Sequence, residues 1–64
     1  MPNFQQRVYD EKMALDIKLS ALRMFLHGVV FYELPSSEQA RLLRQENLMT
    51  CYSEVLGERI SEFE

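Results

Sequence analysis

On a helical wheel at about 100° per residue, the apolar positions between Asn3 and His27 fall into two stripes. Phe4, Val8, Leu15, Leu19, Leu22 and Leu26 share one side, and Met13, Ile17 and Met24 lie almost opposite. Ala14, Ala21 and Phe25 fill one flank between them; Tyr9, Asp16, Ser20 and Arg23 fill the other. The pattern predicts one helix over 4–27 with two faces to bury. One face suits the rest of the chain and the other suits a second copy. Gly and Pro are absent from 4–27. Asn3 is placed as an N-cap. Gly28 stands where a left-handed residue would end the helix, and His27 sits in the last turn where a cation favours the dipole. Arg7 with Glu11 and Lys12 with Asp16 are i,i+4 pairs of opposite charge, each worth a few tenths of a kcal/mol.

A second helix is predicted over 37–62. Ser36-Ser37-Glu38-Gln39 fits a capping box, with Ser36 as N-cap and Gln39 as its reciprocal partner, and Pro35 stops the preceding segment. Leu42, Met49, Leu56, Ile60 and Phe63 form its main stripe, flanked by Gln45, Tyr52 and Arg59. The 42-49-56-63 spacing is a heptad, which suits packing along the full length. Leu48, Cys51 and Val55 make a second apolar patch. The connection 28–36 is long and apolar for a helix–helix loop. It reads as a helical turn around Phe31 and Leu34 that caps the hairpin, or else as a short strand over Val29-Val30-Phe31-Tyr32, which has no second strand to pair with. Gly57 interrupts the second helix at a cost of about 1 kcal/mol against Ala. It answers either a close packing contact or room for a ligand.

These elements make residues 1–64 one all-α domain, an antiparallel two-helix hairpin with an apolar capping connection. Size changes the picture. Below about 70 residues one core rarely supplies more than roughly 3–5 kcal/mol. Cys51 is the only cysteine, which excludes an internal disulfide, and one Cys with one His offers no structural zinc site. Yet 47% of the residues are hydrophobic. Surplus apolar surface on a small chain points to a homo-oligomeric helical bundle. The net charge of −3 argues against nucleic-acid binding, which needs a basic footprint. With neither a membrane-length apolar run nor a signal-peptide pattern, the expected location is cytoplasmic, with no membrane partner.

Catalysis finds no foothold. The chain has no phosphate-binding glycine loop, no HExxH and no nucleophile elbow. His27 suits a helix end better than a general base, and Cys51 suits a small apolar contact better than a reactive thiol. Glu54 and Glu58 share an exposed face with nothing to desolvate them. No enzyme, catalytic residue, metal site or cofactor is therefore expected. Binding is the open class. Arg7, Lys12, Lys18, Arg23, Arg41, Arg44 and Arg59 supply cations, while Tyr9 and Tyr52 supply faces for stacking a base. The expected ligand-binding set is Arg7, Tyr9, Lys18, Tyr52 and Arg59. The plain alternative is that these are solvated side chains and helix ion pairs, and that Met13, Met24 and Met49 are core or subunit interface.

Several segments together carry a family resemblance. They are Gln6-Arg7-Val8 with Glu11-Lys12, Leu15-Asp16 with Lys18, Leu22 with Phe25, and Phe31 with Leu34. Glu38-Gln39, Leu42-Leu43 with Gln45, Met49, Tyr52-Ser53 and Leu56-Gly57-Glu58-Arg59-Ile60 complete the set. The chain resembles the short helical-hairpin proteins widespread in tailed phages and named for a relative in a crAss-like phage. Tyr9 and Arg23-Met24 depart from that pattern. The resemblance implies a phage protein acting in the cytoplasm of an infected bacterium. By analogy of size and form, it is similar to anti-CBASS and anti-Thoeris sponges, which are homo-oligomers that sequester cyclic nucleotide or cyclic ADP-ribose signals without cleaving them. That analogy implies a small anionic nucleotide ligand at inter-subunit pockets. The alternative is a protein-interaction inhibitor that docks an apolar helix face on a host protein.

Overall fold

The computed structural model describes residues 3–64. Three helices follow one another: α1, Asn3–Leu26; α2, Val29–Glu33; and α3, Ser36–Ser61. No strand occurs among the described residues, so Val29–Glu33 takes the helical alternative. The two long helices run antiparallel, since Lys12 meets Ser53 while Arg23 meets Glu46 and Thr50.

The main stripes of the two helices meet. Val8, Leu15 and Leu56 form the buried cluster, with Met49, Ile60 and Phe63 packed against it. Leu56 is the most enclosed side chain, at 1% exposure. At the open end Phe63 packs edge-on against both Phe4 and Tyr9, with ring centroids 5.8 Å apart in each case. At the closed end the buried Phe31 of α2 plugs the hairpin. The second stripe of α1 finds no cover: Met13 and Ile17 are each 66% exposed and Met24 is 77% exposed. Leu48 and Val55 of α3 are also exposed.

The helix junctions differ from the expected ones. Gly28 is not left-handed; it is extended, at φ −91° and ψ 166°, and serves as the N-cap of α2. A new helix begins at once, so the chain needs an extended link there rather than a reversal. Leu34 is extended because the Pro35 ring excludes the helical region for the residue before it. Pro35 is itself the N-cap of α3, and its carbonyl accepts from the backbone N–H groups of Glu38 and Gln39. The Ser36–Gln39 capping box therefore does not form. The Gln39 amide instead donates backwards to the carbonyls of Leu34 (2.9 Å) and Tyr32 (3.3 Å), satisfying oxygens that the end of α2 leaves without helical partners. Asn3 lies inside α1, and residues 1 and 2 lie outside the described residues. Of the two expected ion pairs on α1, Lys12–Asp16 forms at 3.0 Å. Arg7 and Glu11 form none among the described residues.

Candidate functional site

The hairpin presents two long faces, divided by the core stripe. On one face a polar seam ties α1 to α3. Lys12 Nζ donates to Asp16 Oδ2 at 3.0 Å and to Ser53 Oγ at 2.8 Å, and the Ser53 hydroxyl donates to Asp16 Oδ1. The Ser53 hydroxyl first, and the Lys12 ammonium after it, hold the Asp16 carboxyl below its ordinary value. Two turns along, Arg23 Nε reaches Glu46 Oε2 at 3.2 Å and its guanidinium donates to Thr50 Oγ1 at 2.8 Å. Ser53 is buried with its hydrogen bonds satisfied.

Beside this seam lies a groove of about 770 Å³, lined chiefly by Tyr9, Lys12, Met13, Asp16 and Ile17 of α1, with Gly57 and Ile60 of α3 across from them. Gly57 is one of the lining residues. A Cβ placed there would meet only Lys12 Cε, at 3.7 Å, which is ordinary contact. The groove is mostly apolar, and its one cation is already matched by Asp16.

The second groove, about 400 Å³, lies on α3 alone and is lined by Arg41, Arg44, Gln45, Leu48, Met49 and Tyr52. Arg41 pairs with Glu38 at 2.9 Å. Arg44 forms no ion pair among the described residues. Tyr52 lines the same groove, partly open to solvent, so an aromatic face and two guanidinium groups share one surface. By helical phase, at about 100° per residue, Gly57 and Ser53 fall on one side of the core stripe of α3. Tyr52, Arg41 and Arg44 fall on the other.

The expected ligand-binding residues are divided between these faces. Tyr9 lines the larger groove. Tyr52 lines the smaller one. Arg7, Lys18 and Arg59 are exposed and line neither. The phase of α1 nevertheless turns Arg7 and Lys18 towards the Tyr52 face, and the Lys12–Ser53 and Arg23–Glu46 register sets Lys18 level with Tyr52. The smaller groove adds Arg41, Arg44 and Gln45, which stand four residues apart or less on one helix. Their shared spacing with Leu48 and Tyr52 was the signal available in the sequence. Among the described residues no group of three His, Cys, Asp or Glu side chains could hold a metal ion, and no helix is long and apolar enough to cross a membrane.

No solved structure matches the chain. It is 38% identical over 60 residues to an uncharacterized 7.5 kDa protein of the denB-rIIB intergenic region of Enterobacteria phage T4, covering 94% of each chain. That relative places the chain among short phage proteins. The family described as Sequestin matches residues 2–62, nearly the whole sequence. The chain therefore belongs to the Sequestin family.

Proposed function

We propose that this protein is a phage anti-defence protein that works by binding alone, as a homo-oligomer in the cytoplasm of the infected bacterium. It sequesters a cyclic nucleotide or cyclic ADP-ribose-type immune signal at inter-subunit pockets and does not cleave it. The family name speaks of sequestration, and a phage relative fits an anti-defence role. The carrying observation is the smaller groove, which Tyr52, Arg41 and Arg44 line together. Such a surface suits a nucleotide in two ways. The tyrosine offers a stacking face, worth about 1–3 kcal/mol per base. The guanidinium groups donate charge-assisted hydrogen bonds to phosphate oxygens. Lys18, on the same face and at the same level, extends the cationic edge, with Arg7 and Arg59 further along. Tyr9 faces the other groove and would meet a ligand only there. A groove built on one helix is shallow, so a second subunit is needed to enclose the ligand. Nothing in this set is arranged to activate a nucleophile, which favours a sponge over an enzyme.

The test is calorimetric titration of the purified protein with cyclic dinucleotides, larger cyclic oligonucleotides and cyclic ADP-ribose isomers. At least one should bind, and Tyr52→Ala should weaken it by about 5- to 150-fold, the equivalent of one lost stack. Arg44→Ala should weaken it further and flatten the salt dependence. Failure of the whole panel to bind would overturn the reading.

A second reading rests on the closed end, where Val29, Val30 and Tyr32 of α2 stand exposed. An apolar tip of this kind suits docking on a host protein. Substituting Val29 and Tyr32 with Ser would abolish function under that reading and leave nucleotide binding intact under the first.

A further inference from the structure

The outer stripe of α1 carries an order that exposure alone does not explain. Met13, Ile17, Ser20 and Met24 follow the alternating four-and-three spacing of a coiled-coil seam. Continuing the same heptad adds Asp10 before Met13 and His27 after Met24. All six are exposed. The molecule also exposes more surface than its mass warrants. A folded monomer of 7.6 kDa is expected to expose about 4,300 Å², whereas this chain exposes 4909 Å². Its radius of gyration is 14.7 Å, against about 11 Å for a compact chain of this length. The excess, on the order of 600 Å², approaches the roughly 800 Å² that each partner buries in a standard interface.

We propose that the outer face of α1 is the seam of an isologous, antiparallel dimer, in which the α1 helices of two copies pack against each other along Met13, Ile17, Ser20 and Met24. In that register Met13 lies against the partner's Met24, and Ile17 lies against the partner's Ser20. Each layer thus sets residues of the two alternating heptad positions together, as antiparallel packing requires. The small Ser20 accepts the branched Ile17. The polar ends of the stripe decide the direction. A parallel pair would set Asp10 against Asp10 and His27 against His27 across the axis. The antiparallel pair sets Asp10 against the partner's His27 at both ends of the apolar stretch. Met13 and Ile17 also line the larger groove, so the second copy fills its apolar half and leaves Tyr9, Lys12 and Asp16 along the rim. The seam stands independently of the sequestration reading, because its geometry uses neither Tyr52 nor the arginines beside it.

The test is ligand-free cross-linking of the full chain, with Cys51→Ser removing the native thiol, which is exposed and outside the seam. One preparation carries Met13→Cys and another Met24→Cys, both at exposed positions. Mixed and re-equilibrated, they should cross-link through a short thiol–thiol reagent at least 10-fold faster than either preparation alone. Faster self-cross-linking of either preparation than of the mixture would show a parallel pair and overturn the register. Absence of cross-linking in all three samples would overturn the seam. A parallel measurement is the mass in solution: Ile17→Glu should halve it or more, whereas Val55→Glu, on the outer face of α3, should preserve the α1 pair. An unchanged mass for Ile17→Glu would overturn the seam.

Discussion

Gly57→Ala should stabilise the protein, although the glycine stands in the middle of a long helix beside a groove. A helical glycine costs about 0.8–1.0 kcal/mol relative to alanine, because it gives up more backbone freedom on folding. A glycine is worth that cost where a side chain would collide, or where the backbone takes a positive φ. Neither holds: no described residue has a positive φ, and the added Cβ would meet only Lys12 Cε at 3.7 Å. That atom belongs to a flexible chain whose ammonium is already anchored on Asp16 and Ser53. The contact is neutral to slightly favourable, so nearly the whole propensity difference should appear as a gain of about 1 kcal/mol. For a chain of this size such a gain raises the Tm by roughly 4–8 °C. The assay is thermal and urea unfolding followed by helical circular dichroism, at matched protein concentrations so that assembly contributes equally. A fall in Tm would refute the reasoning. If that fall grew with protein concentration, it would place another chain against Gly57.

Two further perturbations probe the core and the seam. Leu56→Ala empties the most enclosed position and should cost about 2–5 kcal/mol. That is comparable to the whole stability of a core this small, so the helical signal should collapse at room temperature; a loss under 1 kcal/mol by urea titration would mean that the Val8–Leu15–Leu56 cluster is not the centre of the fold. Asp16 has its carboxyl held down by Ser53 and Lys12, so its contribution is present above its ordinary value of 3.8 and is lost as pH falls through the lower folded value. Asp16→Asn should therefore be the less stable protein at neutral pH, with the gap closing under acid; a constant gap across an acid titration would show that the carboxylate charge plays no part.

Much of the fold was legible because helical periodicity is a local signal. Val8 and Leu15 of one stripe pack with Met49, Leu56 and Ile60 of the other. The second stripe of α1 is left uncovered, at Met13, Ile17 and Met24. The junctions were less legible. Ser36 and Pro35 are both competent to start a helix, and the choice fell to Pro35, whose fixed φ supplies the extended cap and whose carbonyl takes two N–H groups. Gly28 permits a left-handed turn, but the immediate start of α2 asks for an extended link. The candidate site was least legible. The Lys12–Asp16 pair is local and could be read, whereas Ser53 joins it from 37 residues beyond Asp16. The separation of Tyr9 from Tyr52 likewise depends on which side of the core each helix turns outward, which follows from the packing register and not from residue type. Arg41, Arg44 and Tyr52, by contrast, line one groove through local spacing on α3, a signal the sequence already carries.

The most direct test of sequestration is release. The purified protein is incubated with a messenger that it binds, an effector that reads the messenger is added, and the mixture is then heated to unfold the protein. Sequestration predicts a silent effector before heating and full recovery of chemically intact messenger afterwards. A messenger that stays free to activate the effector, or that returns as a cleavage product, would contradict the account.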